Sequence, residues 1–217
     1  MANKRILVPG GAGYIGSHAV KALIGSGAEV IVADDLETGF KQAVDPAAKF
    51  YQGDIRDRAF LDDLFDKEHI DGVIHFAAYS QVGQSMEKPL DYYDNNVNGT
   101  RVLLSAMLAH GVKNIVFSST AATYGEPRNI PILESDPTEP TSAYGATKLA
   151  MEQMMRWCAG AYGLNYVSLR YFNACGAHES GSIGEAHEPE SHLIPLILQV
   201  PGGRRPCISV YGEDYPT

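Results

Sequence analysis

Tyr144 and Lys148 stand four residues apart in Tyr144-Gly145-Ala146-Thr147-Lys148. On a helix this spacing puts a phenol and an amine on one face, with Cβ atoms about 6 Å apart. A phenol titrates near pH 10, so acting as a base at neutral pH needs a shift of about three units, or roughly 4 kcal/mol. A neighbouring ammonium and a fixed positive charge on a bound ligand both favour the phenolate. Alone, such a pair is common on helix surfaces. Here it has company in Ser118-Ser119-Thr120-Ala121-Ala122-Thr123-Tyr124-Gly125, which follows an apolar run. That run ends where doubly wound folds bind ligands. A hydroxyl that orients a substrate oxygen, with a phenolate that takes its proton, forms the proton-transfer half of a hydride-transfer site.

The matching cofactor signal lies at the front of the chain. Gly10-Gly11-Ala12-Gly13-Tyr14-Ile15-Gly16 follows one apolar run and opens a helical pattern. Gly10 permits a tight turn, Gly13 lets backbone approach a pyrophosphate, and Gly16 lets helix pack on strand. The phosphates then meet the positive end of the helix dipole. Asp34 ends the second run, 24 residues after Gly10, where a carboxylate bonds the adenosine ribose and repels a 2′-phosphate. NAD is therefore expected over NADP. Asp34 and Asp35 also suit the start of a turn. Asp54-Ile55, after the third run, suits either the adenine or an ordinary loop.

These residues need a frame of alternating strands and helices. Strands are expected at Arg5–Val8, Glu29–Ala33, Lys49–Gln52, Val73–Phe76, Asn114–Ser118 and Tyr166–Arg170, several as continuous apolar runs of the kind buried on both faces of a parallel sheet. Helices are expected at Tyr14–Ser26 before Gly27, at Arg58–Lys67 behind the N-cap Asp57, and at Leu90–His110 and Ala143–Ala161. Such alternation predicts an α/β doubly wound parallel sheet, a Rossmann fold, over residues 1–176. The character then changes. Ala177–Glu190 reads as a loop, His192–Val200 as a short helix and Ile208–Tyr211 as a strand. The chain stops at Thr217 with no closing element, which reads as a C-terminal truncation.

Composition excludes several classes. Hydrophobic residues make up 45% and charged residues 20% of 217 residues, and net charge is −9, so neither nucleic acid nor an anionic membrane is an expected partner. Phosphate remains compatible, because backbone N–H groups can hold it. Cys158, Cys175 and Cys207 are odd in number and widely spaced. No disulfide framework or zinc site is expected from them, and a reducing cytoplasm fits. No apolar run reaches about 18 residues. Met1-Ala2-Asn3-Lys4-Arg5 runs straight into Ile6-Leu7-Val8 and leaves no room for a signal peptide. No metal site is expected.

Further stretches narrow the reading: Val73-Ile74-His75-Phe76-Ala77-Ala78, Pro89 to Val97, Arg170-Tyr171-Phe172-Asn173 and Gly212 to Thr217. With the glycine loop, Ser118–Gly125 and Tyr144-x-x-x-Lys148, they resemble the UDP-glucose 4-epimerases of the extended short-chain dehydrogenase/reductase family over essentially the whole chain. The resemblance implies interconversion of UDP-glucose and UDP-galactose through a 4-keto sugar. Tyr144 is then the base toward the sugar 4-hydroxyl, Thr120 holds the 4-oxygen, and Lys148 bonds the nicotinamide ribose. It implies that Gly10, Gly13, Tyr14, Ile15, Gly16, Asp34, Asp35, Leu36, Gly39, Asp54 and Ile55 contact NAD. Phe76, Ala77, Ala78, Ser80, Asn95, Ser118, Tyr144, Lys148 and Tyr171 would do so from the other side, although Phe76, Ala77 and Tyr171 equally suit core packing. Asn173, Leu193, Ser209 and Tyr211, with Thr120 and Tyr144, would contact the UDP-hexose, making residues 177–217 a partial nucleotide-sugar-binding region.

The family's dimer interface uses helices Leu90–His110 and Ala143–Ala161. A homodimer is expected, although Val97, Leu103, Leu104, Met107, Met151, Met154 and Met155 equally suit an internal core. Sugar-nucleotide dehydratases carry an Asp-Glu pair where Ala121-Ala122 stand, which disfavours dehydration. Two features depart from the family. Pro9 replaces a Thr or Ser, and the ending omits the family's last part with its arginine for the UDP phosphates, so Arg204 and Arg205 are the nearest candidate cations. The alternatives are an inactive NAD(H)-binding piece, or another nucleotide-sugar epimerase or oxidoreductase.

Overall fold

The computed structural model describes residues 4–188 and 190–214. Six strands form one parallel sheet: β1 (Arg5–Pro9), β2 (Glu29–Asp34), β3 (Lys49–Gln52), β4 (Gly72–His75), β5 (Asn114–Thr120) and β6 (Asn165–Tyr171), in the order β3-β2-β1-β4-β5-β6. Leu7 pairs with Ile31 on one side and Val73 on the other. Strand order reverses between β1 and β4, and a doubly wound sheet binds ligands in the crevice at such a switch point.

Alternation along the strands builds two cores. Ile6, Val8, Val30 and Val32 point to the face covered by α1 (Tyr14–Gly25), against Val20 and Leu23. Leu7, Ile31, Val73, Ile115 and Phe117 point to the opposite face. There they meet Leu61 and Leu64 of α2 (Arg58–Lys67), Leu103 and Met107 of α5 (Gly99–Ala109), and Met151 and Met155 of α6 (Ala143–Tyr162). Burial on both faces is why the strands read as unbroken apolar runs. The named apolar residues of α5 and α6 are thus core residues; Val97 and Met154 are partly buried against the same core.

Caps set the helix ends. The Asp57 carboxylate accepts the Ala59 and Phe60 N–H groups at the start of α2, and Ser142 accepts Gly145 N–H at the start of α6. α6 stops at Gly163, whose φ of 70° suits glycine.

Two expectations change, and one helix was not expected. The long helix at 90–110 is composite. α4 (Pro89–Tyr92) passes through a widened turn with i→i+5 hydrogen bonding at Tyr93–Asn98 before α5 begins. A short α3 (Val82–Glu87) precedes it, and sequence periodicity misses α3 because only Ser85 is buried. Ile208–Tyr211 forms no strand: no ladder partner runs beside it among the described residues, and Val210 and Tyr211 are exposed. Tyr215, Pro216 and Thr217 of the resembling C-terminal stretch lie outside the described residues, as do Met1–Asn3.

The chain divides after Ala174 into two compact units. The second contains α7 (Leu193–Gln199) with turns and irregular backbone around it. None of the described helices is long and apolar enough to cross a membrane.

Leu103 is fully buried, so Leu103→Ala is expected to lower unfolding free energy by about 2–5 kcal/mol in urea titration. Removal of the α2 cap by Asp57→Ala is expected to lower it by about 0.5–2 kcal/mol. A larger loss from Asp57→Ala would mean that helix capping, not the two-sided core, dominates stability.

Candidate functional site

The turn after β1 is held between two neighbouring strands. Gly10 N–H donates to Ala33 O (2.9 Å), and Pro9 O accepts both Phe76 N–H (2.8 Å) and Ala77 N–H (2.9 Å). Pro9 occupies the last position of β1, paired with Ala33, where a missing N–H is tolerated. Gly10 has φ 80°, and a Cβ there would lie 2.7 Å from the Phe76 carbonyl carbon. A Cβ on Gly16 would lie 2.9 Å from the Gly10 carbonyl carbon. Gly13 differs. Its φ of −78° is ordinary, and a Cβ would meet only Gly10 O, at 3.4 Å. The protein itself does not demand glycine at Gly13. The bare Cα leaves a cradle beside the first turn of α1, at Tyr14 and Ile15, which fits a pyrophosphate.

Asp34 reaches across from β2. Its Oδ2 accepts Ala12 N–H (3.0 Å) and its Oδ1 accepts Leu36 N–H (2.9 Å). Burial raises the carboxyl pKa, and those two N–H groups oppose it. Leu36 takes φ 64°, and Phe40 N–H donates to Ala12 O (3.0 Å). A Cβ on Gly39 would lie 3.0 Å from Ala12 and from Asp34 Oδ1. Asp34 therefore joins the glycine turn to the next loop as well as facing the crevice. Asp35 is exposed and accepts only Glu37 N–H (2.9 Å).

Asp54 is engaged by Arg56, whose Nη2 lies 2.6 Å from Oδ2 and whose Nη1 reaches Asp94 at 2.8 Å. Burial raises the Asp54 carboxyl, but the Arg56 hydrogen bonds outweigh it and hold it low. Ile55 is buried close to Gly99, where an added Cβ would lie 2.9 Å from its Cδ1.

Phe76, Ala77 and Ala78 continue from β4 past the glycine turn and are half-buried, whereas Ser80 is exposed. Phe76 also packs on the α1-side core. Asn95 and Asn96 are buried in the widened turn. Asn96 accepts Tyr79 N–H (2.8 Å) and Asn95 Nδ2 (3.1 Å), and donates to Tyr79 O and Thr147 Oγ1 (both 3.1 Å). Thr147 Oγ1 donates to Tyr144 O (2.7 Å). Asn96 thus couples the β4 loop to the first turns of α6. It was missed by sequence reasoning; the signal was an Asn pair inside a helix, where Asn forms poorly.

Thr120 ends β5, and Tyr144 and Lys148 lie on α6. Thr120 Oγ1 accepts Ala122 N–H (3.1 Å), so its hydroxyl proton is available to another group. Burial raises the Tyr144 phenol, while the Thr120 hydroxyl favours the phenolate and opposes that rise. Lys148 Nζ donates to Ser118 O (2.8 Å) and lies 4.9 Å from the Phe117 ring centroid and 5.9 Å from that of Tyr144. Burial pushes the ammonium down to about 7. The lowered phenol expected from Lys148 is therefore absent in the chain alone: burial dominates both groups. Beneath them, His75 is fully buried, bonded to Thr100 Oγ1 (2.9 Å), and held down to about 3 by burial and then by Lys148.

A second unanticipated network braces the floor. Glu152 accepts the Ser119 hydroxyl and two Arg170 N–H groups, at 3.0 and 2.7 Å. Arg170 stands 4.7 Å over the Tyr124 ring. These contacts tie β5, α6 and β6 together beneath Thr120. Tyr171, the last residue of β6, is half-buried, and Asn173 beyond it is exposed. Leu193, Ser209 and Tyr211 belong to the second unit and are exposed.

Fold and crevice define a nucleotide-binding Rossmann-type protein, with a hydroxyl, a phenol and an amine near the switch point. The family model described as "NAD dependent epimerase/dehydratase family" matches residues 6–213, and the chain belongs to that family. The chain is 59% identical over 212 residues to a UDP-glucose 4-epimerase of Lacticaseibacillus casei, covering 98% of this chain and 64% of that protein. It is 60% identical to one from Halalkalibacterium halodurans, covering 98% and 63%. The chain thus spans less than two thirds of the length of these curated relatives. Among solved structures, the UDP-glucose 4-epimerase of Brucella ovis in complex with NAD superposes with TM-score 0.95 at 48% identity, covering 99% of this chain and 66% of that one.

Two outcomes are expected from this geometry. Gly16→Ala forces a methyl group onto the Gly10 carbonyl and should lower the melting temperature. Gly160→Ala, in α6 with open space around it, should raise stability by about 0.5–1 kcal/mol. Equal effects in differential scanning fluorimetry would contradict the close approach. Between pH 7 and about 10 the unfolded chain keeps the Lys148 proton that the folded chain releases, so this residue's contribution to stability rises with pH, by at most about 1.4 kcal/mol per unit. The advantage of Lys148→Met over wild type in urea midpoint should therefore be largest near pH 7 and shrink toward pH 9.5. A constant difference would contradict a buried, depressed lysine.

Proposed function

We propose that this protein is a UDP-glucose 4-epimerase in activity, interconverting UDP-glucose and UDP-galactose with NAD as resident cofactor. The observation that carries the proposal is the meeting of two sites on one sheet edge. A bare cradle lies at Gly13, and beyond β4 come the Thr120 hydroxyl, the Tyr144 phenol and the Lys148 amine. Relatives at 59% and 60% identity bear that name, and the Brucella ovis relative holds NAD.

NAD, when bound, accepts and returns the C4 hydrogen of the sugar with its electron pair. The chain's own residues do the rest. The first turn of α1 would hold the pyrophosphate at Gly13, Tyr14 and Ile15. Asp34 would take the ribose hydroxyls and repel a 2′-phosphate, with Asp35, Leu36 and Gly39 beside it. Asp54 and Ile55 would border the adenine, Asp54 through its backbone because Arg56 occupies its carboxylate. Phe76, Ala77, Ala78, Ser80, Asn95, Ser118 and Tyr171 would border the rest of the cofactor. Tyr144 would remove the proton of the sugar 4-hydroxyl and later restore it. Thr120 would turn the hydroxyl proton it shares with Tyr144 onto the 4-oxygen, and Lys148 would bond the nicotinamide ribose. Tyr144 would gain, beside a bound oxidised cofactor, the positive charge that it lacks in the chain alone.

Residues 177–217 would form part of the nucleotide-sugar-binding region, through Leu193, Ser209 and Tyr211, with Asn173 from the end of β6. All four are exposed, which favours a second reading, an NAD(H)-binding chain without turnover. A homodimer is also proposed. The buried apolar residues of α5 and α6 are spent on the internal core, so the partner face would use outer residues such as Leu90 and Trp157, exposed by 80% and 76%. A reducing cytoplasm suits the three free thiols.

The test is an epimerase assay of the 217-residue chain with UDP-galactose. Turnover is expected, and Tyr144→Phe should reduce it by about 10²–10⁴-fold without displacing NAD. Bound NAD without turnover would support the second reading. Absence of both would overturn the proposal.

A further inference from the structure

The second unit contains a cluster that the proposed reaction does not use. Glu185, His187, Glu190 and His192 each offer one ligand atom, and the four atoms lie within 4.8 Å of one another. His187 Nδ1 is 3.6 Å from Glu185 Oε1 and 3.6 Å from Glu190 Oε2. His192 Nδ1 is 3.2 Å from Glu185 Oε1 and 2.9 Å from Glu190 Oε1. Ligands around tetrahedral zinc, with bonds of about 2.0–2.1 Å, stand about 3.3 Å apart. The measured separations straddle that value.

An independent observation comes from Glu185. Its side chain is only 9% exposed, and its Oε1 is buried and accepts no hydrogen bond. A buried carboxylate oxygen left in that state is costly. It is aimed at the same point as the two imidazole nitrogens and the Glu190 carboxylate. Two carboxylates converge there, and a divalent cation supplies the missing counter-charge.

We propose that Glu185, His187, Glu190 and His192 form a structural site for a first-row divalent transition ion of the zinc type. Imidazole ligands select such ions over magnesium or calcium. Four protein ligands leave no open position, so the site is closed and structural. It has a clear task. None of the buried hydrophobic residues falls among the described residues of the second unit, and α7 buries none. A unit this small without a core needs a staple. The ion would join the 177–190 loop to His192, the residue that caps α7.

The chelator-treated 217-residue chain would be titrated with Co²⁺ as a visible-spectrum probe, then with Zn²⁺ in competition, in the absence of NAD and sugar nucleotide. One equivalent of Co²⁺ is expected, with the intense visible bands of a tetrahedral site, displaced by Zn²⁺. His187→Gln or His192→Gln should weaken binding at least about tenfold, whereas His178→Gln, outside the cluster, should leave it unchanged. Circular dichroism would verify folding, and if a histidine variant misfolds, the near-isosteric Glu185→Gln carries the same expectation. No tetrahedral bands, or binding indifferent to all three cluster substitutions, would overturn the proposal. Neither readout depends on epimerase activity, so it can fail while the functional reading stands.

Discussion

The molecule depends on one close approach, the turn after β1 pressed against the end of β4. Pro9 O collects two N–H groups from Phe76 and Ala77, and Gly10 N–H goes to Ala33. No side chain fits at Gly10 or Gly16. This contact sets how near α1 comes to the sheet, and so where its first turn meets the crevice. The acid at the end of β2 reinforces it, because Asp34 spends one oxygen on Ala12 N–H. A residue expected to face a ribose or to begin a turn thus also holds the glycine turn itself.

The other half of the site is governed by burial. Lys148 and Tyr144 sit where desolvation disfavours the charged form of each. Without added charge the lysine drifts toward neutrality and the phenol stays protonated. Rigidity comes from the flanks. Asn96 ties the Tyr79 peptide to Thr147, next to Lys148, and Glu152 ties Ser119 to Arg170 beneath Thr120.

The sheet was legible because both faces of its strands are covered, which leaves unbroken apolar runs such as Ile6-Leu7-Val8 and Val30-Ile31-Val32. The start of α2 at Asp57 and the end of α1 before Gly27 were legible through capping chemistry. The widened turn at Tyr93–Asn98 was not, because a change from i→i+4 to i→i+5 bonding leaves apolar spacing nearly intact. Asn96 and Glu152 act through partners far along the chain, and local spacing carries no trace of those pairings. Ile208–Tyr211 has the composition of a strand, but composition does not supply a ladder partner. The Glu185–His192 cluster leaves no mark in cysteine spacing, since its side chains are carboxylates and imidazoles scattered through a polar loop.

At Gly13 the bare Cα is proposed to exist for a ligand and not for the fold. Gly13→Ala separates the two, because the protein has room for a Cβ there at ordinary backbone angles. The measurement is the NAD content of purified wild-type and variant chains, released by heat and quantified by chromatography, beside their urea unfolding curves. Near-stoichiometric NAD is expected in wild type, with loss of most of it in the variant and an unfolding free energy changed by no more than about 1 kcal/mol. A variant that keeps its NAD, or one that unfolds outright, would contradict it.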